Sequence, residues 1–342
     1  MSVKSQNTLP MIRTEYTRIL VEIFTETGIN AHELLKNSGL PPDLLSNTQD
    51  LLSNTQDYLP VEPVKRLIYL LSHQVDGNNF SHLLRLAFRE HIIPSIISQF
   101  DTAETVRDAL IQASRIFSSD SPGSQIAVEE AHGRFWFCRG AHYEESPYFI
   151  WGEVFAVLYT IELISALTLL DWHPTQVKIQ HNSTEAIESA IGSETQLFVG
   201  HNKTAVLINQ EVLETKLQLS TFSARPKKEL VEWHTSFSDN VFTALLPYVK
   251  EYSLSIDQAA RLLQMSSRTL QRRLKEEKTT FRQIKESLML SASCDLMEQG
   301  RSLTQIANQL GYKNLSHYSR AFKKITGLSP KSYKKSLLGI EE

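Results

Sequence analysis

Two nine-residue stretches near the C-terminus repeat each other: Ser255-Ile-Asp-Gln-Ala-Ala-Arg-Leu-Leu263 and Ser302-Leu-Thr-Gln-Ile-Ala-Asn-Gln-Leu310. They superpose without a gap, with the same Ser, Gln, Ala and Leu in both copies. A short turn and a second segment with helical spacing follow each copy. The small residues Ala260 and Ala307 suit a close crossing of two helices. The repeat therefore predicts two helix-turn-helix units in tandem.

The turn between the two helices differs between the copies. In the first unit, Gln264-Met265 makes the turn and Ser266 is placed to cap the next helix. In the second unit the turn is one residue longer. There Gly311 supplies a residue suited to positive φ, and Asn314 is placed to cap.

The second helix of each unit, predicted over 267–276 and 314–324, has an apolar edge and a polar face. The apolar edges consist of Leu270 and Leu274 in the first unit and of Tyr318 and Phe322 in the second. The polar faces carry Arg268, Gln271, Arg272 and Lys275 in the first unit and Ser316, His317, Arg320 and Lys323 in the second. Arg can pair with guanine and Gln with adenine in the major groove, and Lys binds phosphate. For each single residue, an ordinary solvated helix face is the alternative interpretation.

A connecting helix is predicted between the units, over Phe281 to Gln299. At 1.5 Å per residue it would span roughly 28 Å. This length is close to the ~34 Å between successive major grooves on one face of B-DNA. One chain could therefore place two reading helices in adjacent grooves of double-stranded DNA.

The charge of the chain is unevenly distributed. Residues 250–340 hold 17 of the 35 basic residues but only 7 of the 38 acidic ones, a net charge of +10. The rest of the chain carries −13, which gives the overall −3. An acidic domain joined to a basic one indicates that the basic part binds a polyanion.

The repeated segment resembles the AraC/XylS family of bacterial transcription regulators over about 237–336. Met265 to Glu277 resembles that family's first recognition segment, and Ile306 to Tyr333 resembles its closing signature. The resemblance implies an activator that contacts DNA and RNA polymerase, with DNA-facing residues Arg268, Gln271, Arg272, Asn314, Ser316, His317 and Arg320. The family's usual Thr-Gly after the first recognition helix is replaced by Lys278-Thr279-Thr280, one residue short and without the Gly. This departure puts the exit from that helix in question.

The first two thirds of the chain predict helices followed by a small mixed sheet, an α+β fold. Ala131-His132-Gly133 is placed to turn a hairpin between two strands, and Ala186–Ile191 is grouped with the sheet. The apolar stretch 149–172 contains Glu153, Glu162 and Ser165, which favours a buried helix over a membrane span. We expect a sensing or dimerising α+β domain over 1–217, a linker over 218–235 and an all-α DNA-binding domain over 236–342. The first domain also resembles the "arabinose-binding" type of one branch of the same family, which includes ornithine-utilisation regulators.

A ligand site in the first domain would use polar groups next to apolar strands and a buried helix. The candidate residues are Arg134, Arg139, His142, Tyr143, Glu153 and Tyr159. Satisfied core and rim residues are the alternative interpretation for each of them. A small-molecule effector and a homodimer are therefore expectations without an identified ligand or interface.

Enzymatic function is not expected from the sequence. It contains no glycine-rich phosphate loop, no His-Glu-x-x-His motif, no paired Cys ligands and no nucleophile elbow. No metal or cofactor is therefore predicted. Two cysteines and an N-terminus without a signal-peptide core predict a cytoplasmic protein that does not bind membranes. The alternative to a DNA-binding regulator is a small-molecule sensor that acts mainly through protein–protein contacts.

Overall fold

The computed structural model describes residues 9–45, 58–75, 77–101, 103–141, 146–192, 194–217, 236–249 and 254–337. The predicted linker, 218–235, lies outside these residues. The chain divides into two compact units. The N-terminal unit comprises 10–52 and 61–233, and the C-terminal unit comprises 234–342 together with 1–9 and 53–60.

The N-terminal unit begins with a helical part. Strand β1 (Met11–Arg13) precedes the helices α1 (Thr14–Thr25), α2 (Ala31–Ser38), α3 (Val61–Gln74), α4 (Gly77–Ala87), α5 (Ile93–Ile97) and α6 (Val106–Asp120). A 3₁₀ turn covers Pro42–Leu45, and a π-helical turn covers Phe88–Ile92. Local sequence sets several of these boundaries. Asn30 caps α2, Gly39 ends it with φ 81°, and Thr105 and Asp108 form a capping box at the start of α6.

A five-stranded sheet follows the helical part. Its strands are β3 (Gln125–Ala131), β4 (Arg134–Gly140), β5 (Gln176–Lys178), β6 (Gln196–Phe198) and β7 (Thr204–Ile208), in the order β3-β4-β7-β5-β6. Only β5 and β6 pair in parallel. His132 and Gly133, both with positive φ, turn the hairpin between β3 and β4. The sheet is therefore mixed, as predicted.

The apolar helix α7 (Phe149–Thr168) lies in the core of the N-terminal unit. Among the described residues it is the one helix long and apolar enough to cross a membrane, but 67% of its apolar window is buried inside the protein. Its buried Glu162 lies 3.1 Å from Nε of Arg85 and 3.0 Å from Nη2 of Arg89. Buried carboxylates with such partners are typical of a helix packed inside a protein.

Two short helices complete the N-terminal unit, α8 (Glu185–Ile191) and α9 (Gln210–Leu213). The grouping of Ala186–Ile191 with the sheet was wrong, because these residues form α8. Its buried residues Ile187 and Ala190 are three apart, which is helical spacing. In so short a segment, strand and helix patterns are hard to distinguish.

The C-terminal unit contains strand β2 (Tyr58–Pro60), which packs against the first helix of that unit, α10 (Phe237–Val249). The helices α11 (Ile256–Leu262), α12 (Ser267–Glu276), α13 (Phe281–Glu298), α14 (Leu303–Gln309), α15 (Leu315–Thr326) and α16 (Pro330–Leu337) follow. The described residues from 236 onward contain no strand. The predicted α+β region followed by an all-α region is confirmed.

Candidate functional site

The first helix-turn-helix unit is formed by α11 and α12. Ser255 and Gln258 form a capping box at the start of α11, so two of the residues that the repeat shares fix a helix end. Gln264 turns the chain with φ 54°, and the Ser266 side chain accepts a hydrogen bond from the Thr269 amide at 3.1 Å. The predicted turn and cap therefore both form.

The second unit, α14 and α15, repeats this construction. Ser302 and Gln305 form the equivalent capping box. Gly311 has φ 72° in the turn, and Asn314 Oδ1 accepts a hydrogen bond from the His317 amide at 2.9 Å. The two units thus have the same local construction.

Core residues hold each second helix in a fixed rotation. Leu270 and Leu274 on α12, and Tyr318 and Phe322 on α15, are completely buried. Because side chains four residues apart lie on the same helix face, burial of these pairs directs the opposite faces outward. The polar faces predicted from the sequence are consequently exposed. The exposed residues are Arg268, Gln271, Arg272, Lys275, Asn314, Ser316, His317, Arg320 and Lys323.

Two of these residues already have a partner within the chain. Arg272 Nη1 lies 2.6 Å from Glu276 Oε1 in an exposed pair one turn apart. Such a pair stabilises a helix by only about 0.3–0.5 kcal/mol, so Arg272 can exchange it for another anion. Asn314 uses its side-chain oxygen as the cap of α15, so its NH₂ group is the part that can donate elsewhere.

The helix between the two units is the scaffold of this region. Helix α13 has 18 residues and is therefore about 27 Å long. It packs against α10, α12, α14, α15 and α16. Met297 and Leu288 are among its buried residues, while Cys294 is partly buried with its thiol 3.8 Å from the Tyr333 hydroxyl. Both second helices thus rest on the same rigid element.

Helix α12 ends regularly although Lys278-Thr279-Thr280 replaces the usual Thr-Gly. Lys278 adopts φ 58°, the left-handed conformation that Gly327 adopts (φ 78°) after α15. The Thr279 amide then donates to the Leu274 carbonyl at 3.0 Å, which closes the helix end. A non-glycine residue in this conformation costs about 1–2 kcal/mol.

The residue before this turn joins α12 to the start of α10. The Glu277 carboxylate accepts hydrogen bonds from the Phe237 amide at 2.7 Å, the Ser238 amide at 2.8 Å and the Ser236 hydroxyl at 3.0 Å. Partial burial opposes ionisation, but these hydrogen bonds outweigh it and lower the pKa of Glu277. The Arg273 guanidinium lies 3.7 Å from the centre of the Phe237 ring. No feature of the sequence signals this junction, which links residues about 40 apart.

The N-terminal unit contains a cavity of about 90 Å³. Of the six ligand candidates, Arg139 and Tyr159 line it. Arg134 lies exposed at the start of β4, where its Nη1 donates to Gln176 at 3.3 Å. His142 and Tyr143 lie outside the described residues.

Glu153, the remaining candidate, joins α7 to the sheet. Its carboxylate accepts hydrogen bonds from the Gln180 amide at 2.7 Å, the His181 amide at 3.0 Å and the Thr204 hydroxyl at 2.6 Å. Glu153 therefore has a structural role, because its hydrogen bonds join α7 to the sheet. Within the described part of the chain, no group of three or more His, Cys, Asp or Glu residues is placed to hold a metal ion.

Known proteins are similar to this chain mainly in the C-terminal unit. Residues 259–336 match the family described as a helix-turn-helix domain. An uncharacterised HTH-type transcriptional regulator of Mycobacterium tuberculosis, Rv1395, is 39% identical over 72 residues, which cover 21% of each chain. The HTH-type transcriptional activator CfaD of Escherichia coli is 32% identical over 99 residues, 28% of this chain and 37% of CfaD. The chain thus spans well under half the length of these relatives.

A solved structure extends along most of the chain. The transcriptional regulator CdpR from Pseudomonas aeruginosa aligns with 94% of this chain and 98% of its own, at 17% identity and a TM-score of 0.37. The sequence matches therefore concern the C-terminal region, where residues 259–336 match a helix-turn-helix domain.

Proposed function

We propose that the chain is a sequence-specific DNA-binding transcription regulator of the AraC type that inserts α12 and α15 into successive major grooves. The observation that carries the proposal is the exposed polar face of both helices, held outward by buried residues in a domain of the helix-turn-helix family. The net charge of +10 over 250–340 supplies the attraction to phosphate.

The nine exposed residues divide by chemistry into two roles. Arg268, Arg272 and Arg320 can fork onto guanine, and Gln271 can pair with adenine. Lys275 and Lys323 suit phosphates. Asn314, Ser316 and His317 lie in the first turn of α15, or just before it, where a recognition helix contacts base edges.

The whole chain would work as an activator, as the name of CfaD indicates for that relative. In this scheme residues 1–217 bind an effector or a second subunit, 218–235 are the linker, and 236–342 bind DNA next to RNA polymerase. An effector can change DNA binding only if it favours one conformational state over another. The proposal includes a cytoplasmic location and no enzymatic activity.

The test begins with selection of a preferred duplex from a random library by the full-length protein. Binding to that duplex is then measured against salt, with a steep fall in affinity expected. Arg320→Ala should cost about 1–3 kcal/mol and relax the preference at one base position. Arg320→Lys keeps the charge but cannot donate the two parallel hydrogen bonds of a guanidinium, so it should relax the same preference.

Arg282→Ala is the matched control, because Arg282 is exposed on the scaffold helix α13 and pairs with Glu286 at 3.0 Å. It removes the same charge without altering the exposed polar face of α12 or α15, so the preference for particular bases should not change. If Arg320→Ala weakens all sequences equally, Arg320 is a phosphate contact. If the full-length protein binds no DNA at low salt, the proposal fails in favour of a sensor that acts through protein contacts.

A further inference from the structure

The cavity in the N-terminal unit is largely apolar. The helices α3, α6 and α7 and the strands β3, β4 and β7 contribute residues to it. Its apolar lining includes Ile12, Val64, Ile68, Ile126, Phe137 and Phe155. Such a lining favours a ligand with a hydrocarbon body, since transfer of apolar surface out of water drives binding.

Several polar groups at this cavity are occupied by other parts of the protein. Asp120 accepts hydrogen bonds from Arg13 Nε at 2.6 Å and from the Tyr16 hydroxyl. The Thr204 hydroxyl donates to Glu153, and the Thr160 hydroxyl donates to the Ala156 carbonyl at 2.8 Å. Both oxygens of the one lining carboxylate are thus engaged, which argues against a cationic ligand.

Two hydrogen-bond donors at the cavity are not engaged. The buried Tyr159 hydroxyl has no hydrogen-bond partner among the described residues. The half-buried Arg139 feels the charge of Glu153 but forms no direct hydrogen bond or ion pair with a described residue, so its guanidinium can donate into the cavity that it lines. Burial, together with the Asp120 charge, raises the pKa of Tyr159, so the hydroxyl keeps its proton. Burial lowers the pKa of Arg139, and the Glu153 charge opposes that effect. A guanidinium nonetheless remains charged in a protein.

We propose that this cavity binds a small apolar carboxylic acid, whose carboxylate accepts hydrogen bonds from Arg139 and Tyr159. The inference rests on the effector-binding role proposed for 1–217 and names the chemical class of the effector. A carboxylate can accept from both donors, and leaving the buried Tyr159 hydroxyl without a partner is costly. The cavity volume of about 90 Å³ favours a compact hydrocarbon part, since a cavity of about 150 Å³ accommodates benzene.

Calorimetric titration of the full-length protein with propanoate, butanoate, pentanoate and butanamide tests the inference. Affinity should rise about fourfold for each added methylene while the chain still fits the cavity. Butanamide has nearly the same shape as butanoate without the charge, and it should bind at least about tenfold more weakly. Equal affinities for butanoate and butanamide, or no binding of any acid, would overturn the proposal.

Two variants assign the binding to the cavity. Arg139→Gln should remove at least about nine tenths of the affinity for butanoate, and Tyr159→Phe should weaken it several-fold while keeping the ring contacts with Phe88 and Phe117. Arg134→Gln, at the exposed start of the same strand, is the matched control and should bind butanoate as the unaltered protein does. If both Arg139→Gln and Tyr159→Phe bind the acid with unchanged affinity, the inference is refuted. If circular dichroism shows that Arg139→Gln does not fold, Tyr159→Phe and the comparison of acid with amide decide the matter.

DNA binding measured on the same samples separates this inference from the proposed function. Protein that binds its selected duplex but no acid leaves the DNA-binding proposal standing and refutes the cavity ligand. If the protein binds butanoate through Arg139 but binds no DNA, the proposed regulator is refuted and the proposed ligand class stands.

Discussion

Replacement of Glu277 by Ala should loosen the start of α10. Glu277 follows α12, and its carboxylate accepts two amide hydrogen bonds from the first turn of α10. Those amides have no acceptor within their own helix, because the first four N–H groups of a helix lack intrahelical partners. The carboxylate therefore acts as a cap supplied from another part of the chain.

The size of the effect follows from this geometry. A cap is worth about 0.5–2 kcal/mol, and a negative charge at a helix N-terminus adds about 0.3–1 kcal/mol. Glu277 is only partly buried, so screening by water keeps the charge contribution small. We expect a loss of about 1.5 kcal/mol, which is roughly a tenfold change in the opening equilibrium.

Hydrogen exchange followed by mass spectrometry measures this opening directly in a peptide that covers 237–249. Exchange there should be about tenfold faster in Glu277→Ala and less accelerated in Glu277→Gln, which keeps an acceptor. The neighbouring Glu276→Ala is the control. Glu276 pairs only at the surface, with Arg272, and its loss should change exchange by less than about threefold. Equal acceleration by Glu276→Ala and Glu277→Ala would refute the capping role.

The same cap predicts a pH dependence with a definite sign. The folded-state pKa of Glu277 is lowered, so its stabilisation is fully present above the unfolded pKa of about 4.3 and is lost as pH falls through the folded pKa. The difference in stability between the unaltered protein and Glu277→Ala should therefore shrink below about pH 4. A difference that grows on acidification would contradict this assignment.

Three further substitutions test other parts of the fold. Lys278→Gly should raise the free energy of unfolding by about 1 kcal/mol, because its φ of 58° suits glycine; a lower urea midpoint would count against this. Ser302→Ala should cost about 1 kcal/mol by removing the cap of α14, and an unchanged melting temperature would show that the capping box is dispensable. Glu162→Gln should cost about 3 kcal/mol, because it leaves the charges of Arg85 and Arg89 without their buried partner; a loss below about 1 kcal/mol in urea unfolding would mean that solvent compensates.

The sequence predicted the helix-turn-helix units closely because their signals are local. The second helix of the first unit was predicted over 267–276, and α12 spans Ser267–Glu276. Its cap, Ser266, and its inward residues, Leu270 and Leu274, all lie within one short stretch. An apolar stripe and a cap together determine which face of a helix points outward, and they do so without knowledge of the rest of the fold.

Features that join distant segments were out of reach of the same reasoning. The sequence suggested Arg139 and Tyr159 as ligand candidates, but not Lys65 or Asp120, which line the same cavity from α3 and α6. Periodicity indicates which side of an element is buried, but it does not say which elements meet there. The contact between Glu277 and Phe237 could not be predicted for the same reason, since neither residue has a local pattern that points to the other.

The two helix-turn-helix units share their capping boxes and buried pairs but differ on their exposed faces, where Arg268 and Gln271 in the first unit correspond to Ser316 and Ser319 in the second. A pair of units with different exposed faces has no twofold axis within the chain. Under the proposed function, the preferred DNA site must then differ when it is read in opposite directions. Inverting such a site in front of a gene would turn the bound protein end for end, so the sequence would set the orientation of the protein as well as its position.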